Sequence, residues 1–366
     1  MSLRPDPTIH RLLISATCHL VGEYDDGDVA IYHAWPGMTA TSIVGASKRT
    51  ALVVSFVAPE PQRRPGIVIP NYNHVGDHVG AYLAVLFGKR FDNMGILESH
   101  GRFAVPEMGV YSVPHRLDIP HNSDHVRADI PVPLNVAEAK RLHGLFHETF
   151  DDVATLTKFN AACAFYYLAI GNFEADPEVS YLHLITAGEI LAGAVDVADQ
   201  ELLDEQLKAA LERVTTALND GGATARFLRS RLYQVKRRFK LVLGGLLDDA
   251  FFERSESRVE YGRLKKDTID QRLGAAYDLR SKYVHTGESF GNWVSRAIEN
   301  SEFQSGTPIL PDPDFVKILA LAPNFIGLER IIRYCLLRFG ERHFGVDLAI
   351  AAPKPSADAP TPGGSS

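Results

Sequence analysis

The sequence predicts an α+β protein: a β-rich segment over residues 1–133, an all-α bundle over 134–350, and a tail over 351–366. Three observations carry this. The first hundred residues hold short runs rich in Val, Ile, Thr and aromatics, punctuated by turn residues. From Leu134 onward, apolar residues recur at three- and four-residue steps over long runs. The last sixteen residues, A-A-P-K-P-S-A-D-A-P-T-P-G-G-S-S, have tail composition and no core-forming pattern.

Taken in order, strands are expected over 9–20, 28–34, 39–45 and 50–58, with turn chemistry at E-Y-D-D-G-D (23–28). P-E-P-Q-R-R-P (59–65) reads as a loop. A helix over 77–91 follows from the spacing of Val79, Tyr82, Leu83, Leu86 and Phe87. Short strands are expected over 102–105 and 110–113. The helical part predicts segments over 137–150, 152–173, 177–198 and 201–217, with Asp176–Pro177 as a start signal. A charged connector over 253–266 leads to a helix opened by Asp267 and Thr268 and stopped by Gly287. After a loop over 287–313, a final amphipathic helix over 314–339 is expected to bend around Pro323.

Composition narrows the function classes. The chain has 366 residues, length for two domains, and its 45% hydrophobic and 23% charged residues are ordinary for a globular protein. Its formal charge of −7 gives no global basic footprint, so any nucleic-acid surface must be local. Cys18, Cys163 and Cys335 are far apart in sequence, lack metal-type spacing, and are expected as buried thiols in a reducing cytoplasm. M-S-L-R-P-D-P lacks the apolar core of a signal peptide, and no uninterrupted apolar run suggests a membrane span.

Histidine pairs invite a metal reading, which the sequence does not favour. His74 and His78 share a helical face, with Asp77 beside them, but no further ligand follows at a recognisable spacing. His143 and His147, in R-L-H-G-L-F-H-E, lack the glutamate directly after the first histidine that a zinc-protease helix needs. No metal and no cofactor are expected. His115, His121 and His125 fall in a proline-punctuated stretch read as a polar connector.

The most informative stretch is A-A-Y-D-L-R-S-K-Y-V-H-T-G, residues 275–287, in which Arg280 and His285 are five apart. Five residues along a helix turn about 140° and rise roughly 7.5 Å, so the two side chains do not stack on one face. To share a substrate, Arg280 must reach, the helix end must distort, or a second copy must contribute. Ser281, four before His285, lies on its face and is a candidate to orient the imidazole. Histidine moves protons near neutral pH, and a guanidinium clamps phosphate oxygens, so the pair suits a scissile phosphate.

The spacing occurs three times: Arg116…His121, Arg280…His285 and Arg338…His343. Context sets the second apart. L-R-S-K-Y-V-H-T-G-E resembles the signature of the Apea-like branch of the HEPN (higher eukaryotes and prokaryotes nucleotide-binding) superfamily. Y-L-H-L-I-T-A-G-E-I-L, residues 181–191, is similar to that branch's earlier acidic helix, here carrying Glu189. The resemblance covers about 150–345. It implies a HEPN-like bundle and a metal-independent RNase whose Arg and His motifs meet across a homodimer. His285 would transfer protons, Arg280 would stabilise phosphate charge, and Glu189 would partner Arg280. It further implies a role in defence against phage through abortive infection. Some HEPN toxins carry a modifiable tyrosine two residues after the histidine; Gly287 stands there instead.

The stretch 223–240 holds Arg226, Arg229, Arg231, Lys236, Arg237, Arg238 and Lys240, with no acidic residue. Arg226, Arg229, Lys236, Arg237 and Arg238, together with Lys282, are candidate RNA contacts, with aromatics interleaved. The alternative is a solvated face of a bundle helix. The alternative for the whole chain is a non-catalytic HEPN module that dimerises or binds RNA in a sensor, with Arg280 paired structurally to Glu189 or Asp278. Either way, the N-terminal segment is expected to recognise a trigger, of phage or other origin.

Overall fold

The computed structural model describes residues 6–34, 49–61, 64–66, 68–104, 116–203, 205–231, 234–295 and 297–349. The strands expected over 39–45 and 110–113 fall outside these residues. The mixed α+β layout is present: an N-terminal antiparallel sheet precedes a helical region.

The described strands are β1 (Ile9–Ala16), β2 (Tyr24–Asp25), β3 (Val29–His33), β4 (Thr50–Val57), β5 (Phe91–Ser99) and β6 (Arg102–Phe103). They pair in the order β2-β3-β4-β1-β5-β6. β1 is central, and its Leu12, Leu13 and Ile14 are all buried. It faces β4 in unbroken register, with Leu12 opposite Val54 and Ile14 opposite Leu52. Against β5 the register slips twice.

β5 is the strand that the sequence pattern hides. The helix expected over 77–91 is α1 (Asn73–Phe87), four residues earlier, because Gly88 adopts φ 62° and ends it. Phe91 then opens β5. The run F-D-N-M-G-I-L-E-S has poor strand propensity, and Gly95 at φ 100° lies where the pairing is irregular.

The helices continue with α2 (His143–His147), α3 (Val153–Asn172), α4 (Pro177–Gly193), α5 (Asp199–Leu202), α6 (Glu205–Ala217), α7 (Gly221–Arg231), α8 (Val235–Leu246), α9 (Asp249–Glu253), α10 (Ile269–Thr286), α11 (Pro313–Leu321) and α12 (Phe325–Phe344). Side-chain caps set several starts: Asp152 accepts from the Thr155 N–H, Asp176 from Val179, and Asn324 from Gly327. The segment 137–150 is a 3₁₀ turn, Val136–Leu142, followed by the five-residue α2. The expected helix over 314–339 is two helices broken at Ala322–Asn324, since proline cannot continue the backbone ladder.

α12 is also not amphipathic. It is buried nearly all round, and its Glu329, Arg330 and Arg333 face inward. Arg127 reaches Glu329 through two nitrogens, at 2.8 and 2.6 Å, and Glu256 at 2.6 Å. Arg333 meets Asp129 at 2.6 Å, and Arg330 meets Glu302 at 2.7 Å. The Tyr166 hydroxyl also donates to Glu329. Three guanidiniums and three carboxylates, each at most 2% exposed, balance to zero formal charge. Buried charge persists only where it is paired and hydrogen-bonded in this way.

Arg127 and Asp129 precede residue 133, and their partners on α12 follow it. The apolar core crosses the same point, running from Ile14 to Leu348 as one cluster. α1 packs on both β5 and α3, and Val21 bridges to Asn135. α3 has the length and composition of a membrane span, but Phe159, Cys163, Tyr166 and Ile170 pack inside this core.

Candidate functional site

α10 carries the candidate residues at its C-terminal half. Leu273, Ala276 and Leu279 are buried and fix its inner face against α8, α4 and α11. The start lacks a side-chain cap, because Thr268 makes no capping bond. The end is as expected: Gly287 is left-handed at φ 68°, and its N–H returns to the Tyr283 carbonyl.

Arg280 and Glu189 come together across α10 and α4. The Arg280 Nη2 lies 3.5 Å from the Glu189 carboxylate, a long contact at the limit of a hydrogen bond. Their side chains are 29% and 16% exposed, so the pair lies at the rim of the core and Arg280 can still reach solvent. Tyr277, one turn before Arg280, joins them. Burial, and then the nearby Glu189 carboxylate, pushes its phenol above the ordinary range. The Arg280 guanidinium also lies over the Tyr277 ring, 6.0 Å from its centre. Tyr277 was not singled out from sequence, although its position three residues before Arg280 put it on the same face.

His285 is exposed, and among the described residues it makes no hydrogen bond or ion pair. Ser281 is half-buried and, among the described residues, forms no hydrogen bond to His285. Among the described residues, Arg280 and His285 share no hydrogen bond, in keeping with their separation of about 140° around the helix. The other two pairs with this spacing differ. Arg116 is bonded to Asp118 and His121 is buried. Arg338 is held by Asp248 and Glu341, and His343 stacks on Phe339 at 4.3 Å. The second pair alone combines a loosely held arginine with an open histidine.

The basic candidates are mostly engaged. Lys236 donates to Asp278 at 2.6 Å, and its neighbour Lys240 meets Asp270 at 2.7 Å, tying α8 to α10. Arg237 donates to the Glu201 carbonyl at 2.8 Å and Arg238 to the Val195 carbonyl at 3.2 Å. Lys282 bonds Asp312 at 2.7 Å and Glu288 at 3.4 Å, clamping the end of α10 to the start of α11. These partners hold its ammonium pKa above the ordinary value. Among the described residues, Arg226 bonds only the Gly222 carbonyl one turn back, and it is exposed on α7. The side chain of Arg229 lies outside the described residues. An RNA phosphate would therefore meet Arg226 most easily and would have to displace carboxylates to reach Lys236 or Lys282.

His74 and His78 do lie on one face of α1, with ring centres 6.1 Å apart. His74 bonds the Asn71 carbonyl, and Asp77 accepts from Asn93. No third ligand joins them among the described residues. Compared with known protein families, curated proteins and solved structures, the chain has no match.

Proposed function

We propose that this protein is a metal-independent endoribonuclease of HEPN type, with Arg280 and His285 as its reacting groups. The observation that supports it most is the combination of an exposed His285, without a hydrogen bond or ion pair among the described residues, and an Arg280 held to Glu189 at 3.5 Å, both near one helix end. His285 takes the proton as a ribose 2′-oxygen attacks phosphorus and the P–O5′ bond breaks. A proton is returned to the departing 5′-oxygen. Arg280 faces the non-bridging oxygens, where charge develops. Glu189 and Tyr277 hold the guanidinium from behind. The products are a 2′,3′-cyclic phosphate and a 5′-hydroxyl.

The helical separation of the two residues favours a site completed across a homodimer, with Arg280 of one copy beside His285 of the other. Cleavage of host RNA in the cytoplasm during phage infection is the role this chemistry fits, with a trigger sensed by the N-terminal segment. The test is cleavage of total cellular RNA in EDTA by wild type, His285→Ala and Arg280→Ala, with folding and dimerisation checked for each. His285→Ala should lose on the order of 10²–10⁴ in rate, the usual contribution of a positioned proton-transfer group, and Arg280→Ala on the order of 10²–10³, that of a donor aimed at developing charge. Equal cleavage by all three proteins would reject the site.

A second reading has its own support. The Arg280–Glu189 pair and the neutralised Lys236 and Lys282 also suit a non-catalytic module that dimerises or binds RNA. RNA binding without cleavage, in protein exposed to its trigger, selects that reading.

A further inference from the structure

α2 places His143 and His147 one turn apart, and the turn between β2 and β3 brings Asp26 against them. The His147 Nε2 lies 2.5 Å from the Asp26 Oδ2, and the His143 Nδ1 lies 3.8 Å from the same oxygen. One ligand atom from each residue falls within a set no more than 4.8 Å across. Ligand atoms about 2.1 Å from a tetrahedral ion are themselves about 3.4 Å apart, so small rotations of these side chains suffice.

The surroundings hold Asp26 and the α2 backbone in place. Asp26 Oδ1 accepts the N–H groups of Asp28 and Val29, which fixes the turn and leaves Oδ2 facing the histidines. The Tyr24 hydroxyl donates to Oδ2 and can stay there as an outer partner when the carboxylate binds an ion. α2 is short but anchored. Phe146 packs against Tyr24 and Tyr82, and Gly144 lies so close to the Phe344 carbonyl that a Cβ there would sit 2.6 Å from it. Asp28 stands on the same turn, 3.9 Å from His147 Nδ1.

We infer that His143, His147 and Asp26 form a binding site for a zinc-class divalent transition metal, which staples the β2–β3 turn to α2. Two imidazoles and one carboxylate suit such ions and not calcium or magnesium, which take oxygen ligands. The site lies on different elements from Arg280 and His285 and is independent of the RNase reading.

The test is calorimetric titration of Zn²⁺ into the full-length, chelator-stripped protein, with Co²⁺ absorption as a spectroscopic readout and Ca²⁺ as a control. One equivalent should bind and raise the thermal midpoint, because the ion engages only the folded arrangement. His143→Ala is the clean variant: its side chain is 60% exposed and, among the described residues, makes no hydrogen bond, so the fold should survive its loss. It should weaken Zn²⁺ at least tenfold and abolish the Co²⁺ spectrum, and His147→Ala should do the same. His78→Ala should change neither. Zinc binding that survives His143→Ala, disappears with His78→Ala, or is absent from wild type would overturn the assignment.

Discussion

Replacing Glu329 with glutamine keeps the side chain's size and removes its charge at the centre of the buried network. Arg127 and Glu329 are 1% and 2% exposed and share two hydrogen bonds, so solvent screens almost none of their attraction. Glu329→Gln would leave Glu256 as the carboxylate bonded to Arg127 and would turn an amide N–H toward a guanidinium N–H. Removing one partner of a buried pair typically costs about 3–5 kcal/mol, because the other charge stays buried. At roughly 1.3 °C per kcal/mol for a chain of 366 residues, the thermal midpoint should fall by about 4–7 °C. Urea unfolding followed by far-ultraviolet circular dichroism measures the loss directly, provided the slope with denaturant is unchanged. The double variant Arg127→Met, Glu329→Met should recover part of the stability, since neither member of the pair is then stranded, although Glu256 and the Tyr166 hydroxyl lose a partner. A Glu329→Gln protein within about 1 kcal/mol of wild type, or single-variant losses that simply add in the double variant, would refute this account of the network.

Two further outcomes follow from the same core. Burial drives the Lys89 ammonium down from 10.5 to about 8, although the Pro120 carbonyl accepts from it at 2.6 Å. Between those values the unfolded chain holds more protons than the folded one, so stability should rise by about 1 kcal/mol from pH 7 to 9. Burial pushes the Cys18 thiol up from 9.0 to about 12 and raises the Cys163 and Cys335 thiols as well, so above pH 9 their ionisation in the unfolded chain offsets the lysine's gain. The stability of wild type relative to Lys89→Met, read from denaturant midpoints, should therefore grow by about 1 kcal/mol from pH 7 to 9; a difference that stays constant contradicts the lysine's burial. Deleting residues 1–130 removes Arg127 and Asp129 from Glu329 and Arg333 and strips α1 from α3, so the fragment should show no cooperative unfolding transition. A stable fragment with a sharp calorimetric peak would show that the helical part stands alone, and its toxicity would then report on restraint by the N-terminal segment.

Much of the layout was legible because local signals agreed with the tertiary result. The strands β1, β3 and β4 follow β-branched runs. Asp152, Asp176 and Pro177 mark helix starts that the side-chain caps realise. Gly287 closes α10 in the one conformation that glycine adopts at little cost. The misreadings cluster where a local pattern met a stronger constraint. β5 is poor in strand formers and forms because β1 and β6 flank it. α12 reads as amphipathic because its charges look solvated, yet their partners arrive from segments up to 248 residues away.

Sequence by itself determined the α+β layout, the cysteine and charge balance, and the spacing of Arg280 and His285 along one helix. It did so because periodicity, caps and residue chemistry are local properties. Tertiary structure alone decided which charges have partners. Lys236 and Lys282 are neutralised by Asp278 and Asp312, while His285 is left open to solvent. It also decided that Asp26 stands beside His143 and His147, across more than a hundred residues of chain. Coulombic and hydrogen-bond partners act over a few ångströms of space, and spacing along the chain carries no record of that distance until the core has formed.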